Sequence, residues 1–118
     1  SVQNEVSLDL ILPEDRRLRK ICDTLINNPA TNRTLSEWKE LTGASDRTIS
    51  RLFEKETGLT FQNWRTRLRL ISSISELERK KSIQTIALNV GYSSSSAFIH
   101  SFKKEFNITP QQYILRNT

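Results

Sequence analysis

The chain has 118 residues, of which 36% are hydrophobic, a formal net charge of +5 and a pI near 9.7. That length suits one domain or two very small ones, and a helical fold can build its core from that apolar share. One cysteine (Cys22) and one histidine (His100) exclude an internal disulfide framework and a Cys/His zinc site, and no run of about 18 apolar residues is present to span a membrane.

The charge is uneven along the chain. Before Arg33, four basic residues stand against five acidic ones, whereas the remainder carries 14 basic against 8 acidic. A basic excess confined to residues 33–118 suits a polyanionic partner, although a merely soluble basic protein fits the charge as well. The initial serine and the absence of methionine fit a piece cut from a longer protein. No signal peptide is visible, so the expected compartment is the cytoplasm.

Residues 1–12 alternate loosely without a helix signal and read as a linker or the tail of an upstream domain. Pro13 opens a predicted helix, with Glu14 and Asp15 in its first turn. Leu18, Ile21, Cys22, Leu25 and Ile26 form its apolar stripe, and Asn27, Asn28 and Pro29 end it. Arg16, Arg17, Arg19 and Lys20 make its solvated face. Thr34, with Glu37 three residues on, carries the capping-box pattern. The short helix it opens turns Leu35, Trp38, Leu41 and Thr42 inward and stops at Gly43. The next helix places Ile49, Leu52 and Phe53 inward and ends at Gly58, where a left-handed cap is wanted.

Residues 60–79 give the longest helical pattern, capped by Thr60. Phe61, Trp64, Leu68 and Ile71 lie on one face; Leu70, Ile74 and Leu77 lie on a second. A helix with two apolar stripes, about 28 Å long at ~1.5 Å per residue, is expected to join two small helical units. Beyond it Ser82 caps a helix with Ile83, Ile86, Ala87 and Val90 inward, ended by Gly91. Tyr92, Ser93 and Ser94 make a turn, and a further helix turns Phe98, Phe102 and Phe106 inward. The division is therefore residues 13–59 as a first helix-turn-helix unit, 60–80 as a connecting helix and 81–118 as a second unit.

The two units repeat. FEKETGLTFQNW (53–64) against FKKEFNITPQQY (102–113) shares Phe53/Phe102, Lys55/Lys104, Glu56/Glu105, Thr60/Thr109 and Gln62/Gln111. Gly58 pairs with Asn107, two residues that tolerate a left-handed cap, Phe61 with Pro110 after a capping Thr, and Trp64 with Tyr113. Internal duplication gives weight to a pattern that any helical hairpin could show once.

A helix-turn-helix places its second helix in the DNA major groove. In the first unit the outward residues are Arg47, Ser50 and Arg51; Arg can bond guanine bidentately. The alternative is an ordinary exposed pair, but Arg47 and Arg51 at i, i+4 repel each other on an isolated helix. In the second unit Ser95, Ser96, Ile99 and His100 face outward. Ile99 suits a thymine methyl or helps to cover the core; His100 suits a base, a phosphate or a structural place. Helix starts at Thr34-Leu35, Ser82-Ile83 and Thr109 offer N–H groups to phosphates, and Lys55, Lys104, Arg65 and Arg69 offer cations. Lys80 and Lys81 fit a charged helix end equally well. No Gly-rich phosphate loop or activated nucleophile supports catalysis, and no cofactor is expected. A helical protein-interaction module with an incidental basic face is the alternative from another class.

The stretches GASDRTISRLFEKETGLTFQNWRTRLRL and TIALNVGYSSSSAFIHSFKKEFNITPQQY resemble the DNA-binding domain of AraC/XylS-family bacterial transcription regulators. The resemblance spans about residues 14–116 and is nearest to members with an N-terminal cupin-type domain, which makes 1–12 interdomain linker. It implies an all-α fold of seven helices, two helix-turn-helix units on a long central helix and two successive major grooves. It also implies a nucleoid-associated activator that engages double-stranded DNA and RNA polymerase, with an effector or dimerisation domain upstream and this piece monomeric. The family's reading positions fall on Arg47, Ser50 and Arg51, then Ser95, Ser96, Ile99 and His100. One departure is Lys39, where the family carries a small residue and where the second unit has Ala87; Lys39 must snorkel or the first hairpin packs less closely.

Overall fold

Seven helices lie among residues 7–117, the part of the chain that the structure, a computed structural model, describes: α1 (Arg16–Asn27), α2 (Leu35–Thr42), α3 (Asp46–Thr57), α4 (Phe61–Glu78), α5 (Ile83–Asn89), α6 (Ser95–Phe106) and α7 (Pro110–Arg116). The described residues include no strand. Residues 1–6 of the expected linker, residue 118 and the side chain of Leu35, expected inward, lie outside the described residues.

Local chemistry sets the ends. The Thr34, Thr60, Ser82 and Thr109 hydroxyls accept from the backbone N–H three residues on, at 3.2, 3.0, 3.2 and 3.1 Å. Gly43, Gly58 and Asn107 close α2, α3 and α6 in the left-handed conformation, each N–H reaching back to the carbonyl four residues earlier. α1 starts later than Pro13 predicts. The Asp15 carboxylate accepts from the Arg17 and Leu18 N–H groups, which makes Asp15 the cap rather than a first-turn residue. The Glu14 and Asp15 N–H groups are taken by Glu56 of α3, at 2.7 and 3.0 Å.

Two separate cores follow from the two stripes of α4. Phe61, Trp64 and Leu68 join Leu18, Ile21, Cys22, Leu25, Trp38, Ile49 and Phe53. Leu70, Ile74 and Leu77 join Ile86, Ala87, Val90, Phe98, Phe102, Ile108 and Tyr113. Each fully buried aliphatic side chain contributes about 1.5–3 kcal/mol, so α4 is held from both sides and acts as the shared wall. Several expectations of burial fail or hold only in part: Thr42, Leu52, Ile83 and Phe106 are half-buried. Ile26 is 44% exposed and Leu41 39%, because α1 and α2 each bury a stripe narrower than their apolar residues span. Ile71 is only half-buried, since it falls between the two core-facing directions of α4. Lys39 faces solvent while its counterpart Ala87 is buried.

The described part of the N-terminal arm is docked. Leu10 packs against the first core, the Trp64 indole N–H donates to the Ile11 carbonyl at 2.8 Å, and Arg67 donates to the carbonyls of Asp9 and Ser7 at 2.7 and 3.0 Å.

Candidate nucleic-acid interface

Helix α3 is fixed by its inner face. Ser45 caps it, accepting from the Thr48 N–H, and Ile49 and Phe53 are fully buried. The i, i+3, i+4 set Arg47, Ser50 and Arg51 is consequently turned to solvent, as is Lys55 one turn further on. A groove runs beside it, lined by Ser50 and Glu54 of α3, by Arg33 and Thr34 ahead of α2, and by Gln62 and Arg65 of α4. Arg65 is partly buried there. It donates to the Gln62 side-chain oxygen at 2.9 Å and stands 5.6 Å over the Phe61 ring. Burial lowers its pKa, yet a guanidinium keeps its charge.

The second unit repeats this arrangement with different side chains. Ser94 caps α6 by accepting from the Ala97 N–H, and Phe98 and Phe102 anchor it from beneath. Ser96 and His100 are exposed; Ser95 and Ile99 are half-buried, and Ile99 packs one side against the second core. The matching groove is lined by Ser96, Ile99, His100, Lys103, Lys104 and Thr109. Lys103 escaped the sequence reading, although it aligns with Glu54 in FKKEF against FEKET. The first groove therefore carries a carboxylate where the second carries an ammonium. Arg33 was also missed; it lies 5.4 Å over the Trp38 ring at the mouth of the first groove.

The helix starts differ in charge. At α2 the Glu37 carboxylate folds back onto the Thr34 N–H at 3.2 Å, placing an anion where an incoming phosphate was expected, with Leu35 next in line. At Thr109 the returning group is the neutral Gln112, at 2.8 Å, and Pro110 has no N–H to offer. At Ser82-Ile83 the first turn carries no acid. Lys104 is exposed like Lys55.

Arg69 departs from the phosphate-facing expectation. Its Nε donates to the Pro29 carbonyl at 2.9 Å, and its Nη2 to the Thr31 carbonyl and the Asn32 side-chain oxygen at 3.2 and 2.9 Å. Its Nη1 reaches the Gly91 carbonyl at 3.5 Å. Burial, then the neighbouring Arg65 charge, lower its pKa. With its fork filled by protein oxygens, Arg69 belongs to the scaffold.

Among the described residues, no helix is long and apolar enough to cross a membrane, and no three His, Cys, Asp or Glu side chains group to hold a metal.

Comparison with known proteins agrees with this geometry. A family profile described as "Helix-turn-helix domain" matches residues 38–116. The HTH-type transcriptional regulator NimR of Escherichia coli K12 is 34% identical over 116 residues, covering 98% of this chain and 42% of NimR. The HTH-type transcriptional regulator RipA of Corynebacterium glutamicum is 34% identical over 102 residues, 86% of this chain and 31% of RipA. The chain thus spans less than half the length of these relatives. A crystal structure of a Chromobacterium violaceum transcriptional regulator, described as AraC-type DNA-binding domain-containing, superposes with a TM-score of 0.79 at 26% identity, covering 86% of this chain and 92% of that one. The C-terminal domain of AraT, a response regulator from Geobacillus stearothermophilus, gives 0.78 at 25% identity, over 86% of each chain. The chain belongs to the AraC-type helix-turn-helix family, the DNA-binding domain of AraC/XylS transcription regulators.

Proposed function

We propose that this domain reads double-stranded DNA by placing α3 and α6 in two successive major grooves. The observation that carries the proposal is the repetition: each unit turns one helix outward from its own core and flanks it with a groove. The connecting helix, about 27 Å long for 18 residues, is close to the ~34 Å turn of B-DNA. Arg47, Ser50 and Arg51 read bases in one groove, and Ser95, Ser96, Ile99 and His100 in the next, where the paucity of forked donors makes reading looser. Lys55, Lys104 and Arg65 meet phosphates, together with the N–H groups at the Ser82-Ile83 helix start; the Thr34 and Thr109 N–H groups are already taken by Glu37 and Gln112.

In this reading residues 1–12 link to an upstream effector or dimerisation domain. Residues 13–59 and 81–118 are the reading units on either side of connecting residues 60–80, the domain alone is monomeric, and the whole protein is a cytoplasmic activator that contacts RNA polymerase. The test is salt dependence. With about six to eight phosphates neutralised, log K against log salt falls with slope about −5 to −7. A slope near zero overturns the DNA reading in favour of a protein partner.

A further inference from the structure

The two cores leave one thing unfixed. Apolar packing holds each unit together, but the buried clusters are separate, so beyond the shared helix α4 and the Arg67–Glu105 ion pair the angle between units depends on what else crosses from one to the other. Arg69 crosses. It stands on α4 between Leu68, which belongs to the first core, and Leu70, which belongs to the second. Its guanidinium fills the space between the loop after α1 and the turn before α6: three acceptors come from Pro29, Thr31 and Asn32, the fourth from Gly91. Gly91 closes the contact by lacking a side chain. A Cβ there would lie 2.9 Å from Arg69 Cζ and 3.0 Å from Ala30 Cα, and the backbone is left-handed at φ +103°. The chain then runs from Gly91 to the α6 cap at Ser94 within three residues.

We propose that Arg69 is a positioning residue for DNA reading: by clasping the first unit's loop to the second unit's turn it fixes the angle between α3 and α6, and hence the spacing between half-sites that the domain accepts. A flat five-donor fork is needed to serve oxygens of two segments at once; a lysine ammonium on a flexible stem cannot hold that plane. Half-burying a cation is costly without such partners, and the carbonyl dipoles around Arg69 offset that cost.

The proposal rests on the DNA reading, so its test has one arm with DNA and one without. Spin labels on Arg19→Cys of α1 and Gln84→Cys of α5, both exposed sites, report the distance between units. Cys22 is fully buried in the first core, out of reach of the label. The second arm measures binding to the duplex selected by the unmodified domain and to copies with one base pair added or removed between half-sites. The unmodified domain gives a narrow distance distribution and loses about tenfold or more on either altered spacer. Arg69→Ala, and the milder Arg69→Lys that keeps the charge, broaden the distribution and bind all three spacers within about threefold. Narrow distances and retained spacing discrimination in a folded Arg69→Lys domain overturn the proposal. An unmodified domain that binds no duplex defeats the DNA reading alone, and the label distances still decide whether Arg69 fixes the units.

Discussion

Trp64 donates its indole N–H to the main-chain carbonyl of Ile11 across 2.8 Å, tying the connecting helix to a segment 53 residues earlier. The same helix face holds the arm again through Arg67, whose remaining Nη1 meets Glu105 of α6 at 2.8 Å. The arm, α4 and α6 thus share one hydrogen-bonded chain. Trp64→Phe keeps an aromatic ring beside Phe53, 5.7 Å away in the native protein, but loses this bond. We expect a cost of about 1–2 kcal/mol and faster amide exchange across residues 8–12, measured by hydrogen-exchange NMR.

The caps of α3 and α6 give a test free of packing effects. Gly58 adopts φ 78° and Asn107 φ 66°, and a Cβ on Gly58 would meet nothing within 4 Å. Gly58→Ala should therefore cost about 1 kcal/mol for backbone reasons alone, and Gly58→Asn less. Lys80, left-handed at φ 60° after the end of α4, should gain about 1 kcal/mol on conversion to Gly. Denaturant unfolding decides; equal losses for Ala and Asn at position 58 contradict the cap argument.

These positions also show what the sequence could reveal. Caps and left-handed stops have local chemistry, so Thr34, Thr60, Ser82, Gly43, Gly58 and Asn107 were legible, and the two stripes of α4 correctly announced two cores. The outward faces of α3 and α6 followed by subtraction once Phe53 and Phe102 were placed inside. The width of each buried stripe was not legible, because Ile26 and Leu41 continue a period that their neighbours do not cover. Nor were the roles of Arg67 and Arg69. Their partners are mainly backbone carbonyls far along the chain, and a carbonyl leaves no mark in a sequence.

The separateness of the cores makes a sharp prediction. Ile74 is 4% exposed and lies in the second cluster. Ile74→Asp buries an unpaired charge there at a cost of several kcal/mol. Amide protection should collapse in α5–α7 while α1–α3 remain protected. Uniform loss in both units would mean that they unfold as one.

Acid should act through Asp15. The Arg17 side chain does most to lower its pKa from the ordinary 3.8; burial, the next effect, raises it, and the Arg17 and Leu18 backbone N–H groups then lower it further. A carboxyl lowered in the native state contributes stability that is complete above its unfolded value and is lost as pH falls through the native one. Stability should therefore fall below pH about 4, and Asp15→Asn, still a good cap, should flatten that limb in urea titrations.

On the proposed reading one chain recognises two different half-sites through two outward helices. Selection of binding sites from a random duplex pool, repeated on variants and read as per-position preference, decides this. The unmodified domain should select an asymmetric site with two blocks about 10–10.5 base pairs apart, centre to centre. Arg47→Ala or Arg51→Ala should cost about 1–3 kcal/mol and relax one or two positions in one block only. Ser96→Ala should cost less, and Lys55→Ala should weaken all sequences alike. If Arg51→Ala leaves every position unchanged while Lys55→Ala alters one, the reading face has been placed on the wrong side of α3.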